Sequence, residues 1–245
     1  MIIIPAIDLK NGEAVRLYKG DYKQKTVYSR TPETLALQFQ DMGAKYLHVV
    51  DLDGAKEGNT TNLQTIQKIR QTITIPMEVG GGIRDEKTVS LYLDEIGVNR
   101  VILGTAAIEN PDFLQAMLKR YGSEKIVVGV DIQNEYVATS GWLVTTKVHY
   151  LDFLKTLETM GVRYIICTDI SKDGTLQGPT FSIYQKIQET TSLQCIVSGG
   201  VKDQDDILEA AKQGYHGCIV GKAYYEGKVD LKEVIGCLPK ESSLV

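Results

Sequence analysis

The chain is poor in the residues that staple, ligate or anchor a protein. Only four of its 245 residues are cysteine, and Cys167, Cys195, Cys218 and Cys237 show no C-x-x-C spacing. Three of them sit inside apolar runs (Ile165-Ile166-Cys167, Cys195-Ile196-Val197 and Cys218-Ile219-Val220). They read as small buried thiols in a reducing compartment, not as disulfide partners. The three histidines, His48, His149 and His216, are scattered without ligand spacing, so no metal site is expected. No apolar run approaches the roughly 18 residues that cross a bilayer, which excludes a membrane partner. The start, Met1-Ile2-Ile3-Ile4-Pro5, lacks the basic and apolar regions of a secretory leader, and a cytoplasmic protein is expected. No charge of one sign dominates. The formal net charge is -4 and no basic run stands out, so nucleic acid is not an expected partner. No Pro/Ser-rich or low-complexity linker divides residues 1–245, which read as one domain.

What is present fits one barrel of about 250 residues. Hydrophobic residues make up 43% and charged residues 24%, ordinary usage for a globular core without staples. Eight short apolar runs recur: Ile2–Ile7, Tyr46–Val50, Ile75–Val79, Arg100–Leu103, Ile126–Val130, Tyr164–Thr168, Cys195–Ser198 and Gly217–Val220. Most are apolar throughout, as strands of a parallel sheet covered on the outside are. Helix signals lie between them. Thr31-Pro32 is an N-cap with proline at the first helical position, followed by Leu35, Phe39 and Met42 on one face and Gly43 as a stop. Asp85, Asn110-Pro111 and Asp203 open further helices, and Gly97 and Gly214 close two of them. Strand and helix alternate about eight times, which predicts parallel β/α units.

An internal repeat then separates a closed barrel from a doubly wound open sheet. Gly81-Gly82-Ile83-Arg84-Asp85 matches Gly199-Gly200-Val201-Lys202-Asp203. After the next strand, Gly104-Thr105-Ala106 matches Gly221-Lys222-Ala223. Asp53-Gly54 matches Asp173-Gly174, and Ala6-Ile7-Asp8-Leu9 matches Gly129-Val130-Asp131-Ile132. The spacing between counterparts stays near 120 residues in every case. Four β/α units that occur twice in order predict a (β/α)8 TIM barrel built of two half-barrels, approximately 1–122 and 123–245.

Sites in such barrels lie at the C-terminal ends of the strands, where all the matched motifs fall. A Gly-Gly step into a helix bares backbone N–H groups to an anion. Gly81, Gly82, Gly104 and Thr105 form one expected phosphate cradle, with Arg84 adding charge. Gly199, Gly200, Gly221 and Lys222 form the other. Duplication places them on opposite sides of the mouth, so the ligand should carry a phosphate at each end. Asp8 and Asp131 end the first strand of each half and should face each other near the middle of that ligand. Two carboxylates there suit paired proton transfer. Asp51, Asp53, Asp169 and Asp173 also end strands, where an aspartate can serve only loop N–H groups. Thr168 could hydrogen-bond a substrate hydroxyl or an aspartate. Trp142 could stack on a heterocycle or pack beneath its loop. Gly12, Gly20 and Gly141 permit mobile loops.

These residues resemble a known family. Pro5-Ala6-Ile7-Asp8-Leu9 with Gly12, Val15-Arg16-Leu17 and Gly20-Asp21, then His48-Val49-Val50-Asp51-Leu52-Asp53-Gly54-Ala55, Gly80-Gly81-Gly82-Ile83-Arg84, and Thr168-Asp169-Ile170 with Asp173-Gly174-Thr175 are similar to the phosphoribosylformimino-AICAR ribotide isomerases of histidine biosynthesis. The likeness runs to about Gly227. It implies an Amadori rearrangement of a ribosylamine into a ribulosyl aminoketose on a small substrate with two phosphates. It implies Asp8 as the base at ribose C2, Asp131 as the acid that opens the ring, Thr168 as an assisting hydroxyl and Trp142 as a stacking ring. Gly174 and Thr175 join the phosphate-binding residues. No cofactor, no metal, no obligate protein partner and a monomer are expected. The sister cyclase that makes imidazole glycerol phosphate shares both aspartates and both phosphate sites, but it usually has Cys-Leu-Asp where Ala6-Ile7-Asp8 stands here. A non-catalytic phosphoribosyl-binding barrel is a further alternative.

Overall fold

Twelve strands organise the chain in a computed structural model, described for residues 1–18 and 21–238. Gly20, one of the loop glycines named above, lies outside the described residues. In chain order the strands are β1 (Ile2–Lys10), β2 (Glu13–Tyr18), β3 (Asp21–Ser29), β4 (Leu47–Asp51), β5 (Met77–Gly80) and β6 (Arg100–Leu103). They continue with β7 (Ile126–Gln133), β8 (Tyr136–Thr139), β9 (Val144–His149), β10 (Tyr164–Asp169), β11 (Gln194–Ser198) and β12 (Gly217–Val220).

Eight of them pair in parallel and close on themselves in the order β1, β4, β5, β6, β7, β10, β11, β12 and back to β1. The fold is a (β/α)8 TIM barrel with helices around it. The remaining four strands are two antiparallel hairpins that extend barrel strands beyond the rim. β2 and β3 continue from β1, while β8 and β9 continue from β7. The apolar runs place the eight barrel strands to within about three residues. None of the eight apolar runs marks the four hairpin strands, and β9 is largely exposed.

Period-two alternation decides which side chains fill the barrel. Ile4, Ala6, Tyr46, Ile102, Val127, Tyr164, Ile166, Ile196 and Ile219 pack together inside it. A separate, larger cluster between strands and helices holds Phe39, Ile66, Val79, Val101, Leu114, Tyr150 and Tyr184. Counting by twos from Ile4 and Ala6 brings Asp8 to the inner face at the end of β1. Counting from Val127 through Gly129 does the same for Asp131 on β7. Since β1 and β7 are four strands apart in a ring of eight, their ends lie on opposite sides of the mouth.

The helix signals hold. Asp85 and Asp203 accept hydrogen bonds from the N–H groups of Thr88 and Asp206, and Asn110 accepts one from Phe113. Thr31 caps by position only, without a side-chain bond. Gly97 adopts the left-handed conformation that stops its helix, and Gly43 and Gly214 follow theirs with φ of 98° and 78°. Matched glycines of the repeat share conformations. Gly81 and Gly199 have φ of 100° and 87°, and Gly82 and Gly200 have 75° and 86°. Cys167, Cys195 and Cys218 are buried thiols, and Cys237 is exposed.

Candidate active site

A cavity opens at the C-terminal ends of the barrel strands, and its walls come from both ends of the sequence repeat. Asp8, Asp131, Thr168, Trp142, Gly81, Gly82, Arg84, Gly104 and Thr105 all line it. A smaller recess beside it is lined by Gly174, Gly199, Gly200, Gly221 and Lys222. Arg16, Asp173, Ser198 and Ile219 line both, so the two spaces adjoin. Thr175 reaches neither wall. Its hydroxyl donates to the Lys172 carbonyl at 2.7 Å and stays within its own turn.

The two cradles have backbone walls that tolerate no side chain. A Cβ on Gly81 would overlap the carbonyl oxygen of Asp51. On Gly200 it would stand 2.7 Å from the carbonyl oxygen of Gly178. The neighbouring loops are fixed in matching fashion. Asp51 accepts hydrogen bonds from the backbone N–H groups of Gly54 and Asn62, and Asp169 accepts from Ser171 and Thr180. Asp53 receives the N–H of Asn11. These three aspartates therefore serve loops, one of the roles open to a strand-end aspartate. Asp173 does not. It faces the cavity, 3.8 Å from Arg16.

Arg16 is the residue that sequence reasoning underweighted. It stands on β2, directly after the hairpin turn from β1, and its Nη1 is 2.7 Å from Asp8 Oδ2. Burial works against the Arg16 charge, but Asp8 and Asp173 beside it raise its pKa above the ordinary value. The guanidinium also packs over Gly221, where a Cβ would overlap it. One arginine thus touches a central carboxylate and a glycine-walled cradle at once. Its place beside Val15 and Leu17 in a motif was the only signal in the sequence.

Asp131 has a different environment. Burial pushes its pKa up, while hydrogen bonds from the side chains of Trp142 and Thr168 hold it down. Thr168 is its direct neighbour in the β7–β10 ladder. Trp142 arrives through Ser140, Gly141 and Trp142 itself, all with positive φ between 57° and 70°. Left-handed backbone at non-glycine residues is strained and clusters at functional sites. Asp173 is likewise raised by burial, with Arg16 and Lys222 opposing and Asp8 reinforcing the rise. On the rim, Tyr22 of β3 donates to the Leu52 carbonyl at 3.0 Å, and burial pushes its phenol up to about 12.

The raised pKa of Asp131 has a stability consequence. A carboxylate raised on folding costs stability once the pH exceeds its unfolded value near 3.9, and the full cost is reached above its folded pKa. Asp131→Asn, which keeps an acceptor for Thr168 and Trp142, is expected to raise the neutral-pH melting temperature by about 2 °C or more. The gain should fade as the pH falls toward 4. Calorimetry across that range checks it, and an equal gain at all pH values would contradict the cause.

Among the described residues no cluster of His, Cys, Asp and Glu is arranged to hold a metal ion, and no helix is long and apolar enough to cross a membrane. Comparison with known proteins adds a name to this geometry. Residues 2–230 match the family described as histidine biosynthesis protein. A protein of Lactococcus lactis subsp. cremoris (strain SK11) is 62% identical over 233 residues, 95% of each chain. One of Clostridium botulinum (strain Okra / Type B1) is 49% identical over 243 residues, 99% of this chain and all of its own. One of Clostridium acetobutylicum is 47% identical over 240 residues, 98% of this chain and all of its own. All three are named 1-(5-phosphoribosyl)-5-((5-phosphoribosylamino)methylideneamino)imidazole-4-carboxamide isomerase.

Proposed function

The chain belongs to the histidine biosynthesis protein family, and we propose that it is the isomerase whose name its relatives carry. It catalyses the Amadori rearrangement of a bis-phosphorylated aminoaldose into the aminoketose, an internal redox exchange that needs no external electron carrier. The supporting observation is the pair of adjoining cavities that carry two glycine-walled cradles, with Asp8 and Asp131 lining the larger of them.

Each cradle takes one phosphate. Gly81, Gly82, Gly104 and Thr105 with Arg84 hold one end of the substrate. Gly174, Gly199, Gly200, Gly221 and Lys222 hold the other. Asp131, whose pKa burial raises, gives a proton to the ribose ring oxygen as the C1–O bond breaks and the nitrogen lone pair forms a Schiff base. Asp8 removes the proton from C2, and the C–H electrons form the C1=C2 bond of an enol as the C1=N π pair returns to nitrogen. The C2 hydroxyl then loses its proton as C1 gains one, leaving a ketone. Arg16 holds the Asp8 carboxylate, while Thr168 and Trp142 aim that of Asp131. The two half-barrels, roughly 1–122 and 123–245, each supply one cradle and one aspartate. We further read the protein as a cytoplasmic monomer that needs no protein partner.

The assay is direct. Purified protein should convert the aminoaldose to the aminoketose with no added cofactor. An absence of conversion, or an ammonia-dependent ring closure in its place, would overturn the assignment.

A further inference from the structure

Below the cavity the barrel interior is apolar except along one line. Glu78 on β5 is completely buried. Its Oε1 lies 2.9 Å from Nδ1 of His48 on the adjacent strand β4. Its Oε2 has no hydrogen-bond partner and lies 4.0 Å from Nη1 of Arg100, which also has none. The Arg100 guanidinium is stacked between two rings, 4.2 Å from the centre of Tyr164 and 4.9 Å from that of Tyr46. A polar column therefore runs down the barrel interior from His48, in the cavity wall, through Glu78 to Arg100.

A buried carboxylate with one oxygen left without a hydrogen bond is expensive, and apolar residues of similar volume would pack there at lower cost. The column ends at the place where the reacting part of the substrate would lie. His48 is two residues below Val50, which pairs with Asp8 across the β1–β4 ladder, and it lines the same cavity as Asp8 and Asp131. With Nδ1 taken by Glu78, Nε2 is the ring nitrogen left for that cavity.

Resting on the isomerase reading, we propose that His48 contacts the reacting ribose and that Glu78 is a positioning residue acting through it. Glu78 accepts the Nδ1 proton and so fixes both the plane and the tautomer of the ring. Nε2 is then left unprotonated, an acceptor for a ribose hydroxyl between the two aspartates. Arg100, held in its aromatic sandwich, anchors Glu78 from below. The phosphates grip the substrate at both ends, so a contact at its middle governs alignment more than binding.

A mutant cycle on the full chain tests this. His48→Ala should lower kcat about 10²-fold with KM almost unchanged. Glu78→Gln has the same shape but no charge, and should lower kcat about 10-fold alone. In the His48→Ala background it should cost nothing further. If His48→Ala does not fold, His48→Asn takes its place in the cycle. Nitrogen NMR of the three histidines gives a second readout. His48 should carry its proton on Nδ1 in the wild type and on Nε2 in Glu78→Leu. Wild-type kcat in the His48 variant, an undiminished Glu78→Gln effect in its absence, or an Nε2-protonated wild-type ring would each overturn the proposal. Failure of the wild type to turn over would instead count against the isomerase reading, and the ring-nitrogen measurement then decides the dyad alone.

Discussion

Asp8→Asn and Asp131→Asn should each lower kcat by about 10³-fold, because each removes one of the two groups to which the proposed mechanism gives proton transfer. Binding of the two-phosphate ligand should change only a few-fold. The proposed phosphate cradles at Gly81, Gly82, Gly199 and Gly200 follow strands other than those that carry the aspartates. The substitutions also leave the local contacts largely in place. In Asp131→Asn, Thr168 and Trp142 still find an acceptor. In Asp8→Asn, Arg16 keeps a neutral acceptor at position 8 and its neighbour Asp173. Single-turnover rates report the chemistry, and calorimetric titration with product reports the binding. Near-normal turnover in either variant would remove that aspartate from the mechanism. Equal losses of kcat and of ligand affinity would show a collapsed site instead.

Gly81→Ala should be the most destabilising of three glycine substitutions that share a positive φ. Gly97 has φ of 76° and open space around it, so Gly97→Ala carries only the conformational cost of roughly 1 kcal/mol. Gly199 has φ of 87°, and a Cβ there would stand 3.2 Å from the Asp169 carbonyl oxygen, a tight but adjustable contact. At Gly81 the φ is 100° and a Cβ would overlap the Asp51 carbonyl oxygen and crowd its carbon and nitrogen as well. The backbone of Asp51 has little room to retreat. It ends β4, is fully buried, and its side chain is held by Gly54 and Asn62. Conformational strain plus overpacking then reaches about 3 kcal/mol, or a melting temperature about 10 °C lower. Thermal melts of the three variants check the order. A Gly81→Ala protein that melts with Gly97→Ala would mean that the cradle wall gives way easily.

Much of this arrangement is written locally. Asp8 falls two residues beyond Ala6 and Asp131 two beyond Gly129, so strand periodicity alone turns both inward. Asp85 and Asp203 cap helices because a short acceptor at that position meets N–H groups a few residues on. The matched Gly-Gly steps announce two cradles from the sequence. Other residues could not be read this way. Thr175 stands in a motif yet turns back to its own loop, since a nearby carbonyl satisfies its hydroxyl. Asp173 was one of four strand-end aspartates with a shared expectation, and it alone of the four meets Arg16. The largely exposed strand β9 carries no apolar period, although the β8–β9 hairpin delivers Trp142 to Asp131.

The sequence by itself therefore determined the eight strands, their pairing into two similar halves, and the positions of both glycine cradles and both central aspartates. These follow from chain-local periodicity, capping and turn chemistry. Only the tertiary structure decided that Arg16 bridges Asp8 and Asp173, and that His48, Glu78 and Arg100 form a column inside the barrel. The physical reason is register and closure: His48, Glu78 and Arg100 become partners only in the observed alignment of β4, β5 and β6, and Arg16 reaches Asp173 only when the barrel brings the two halves of the chain together.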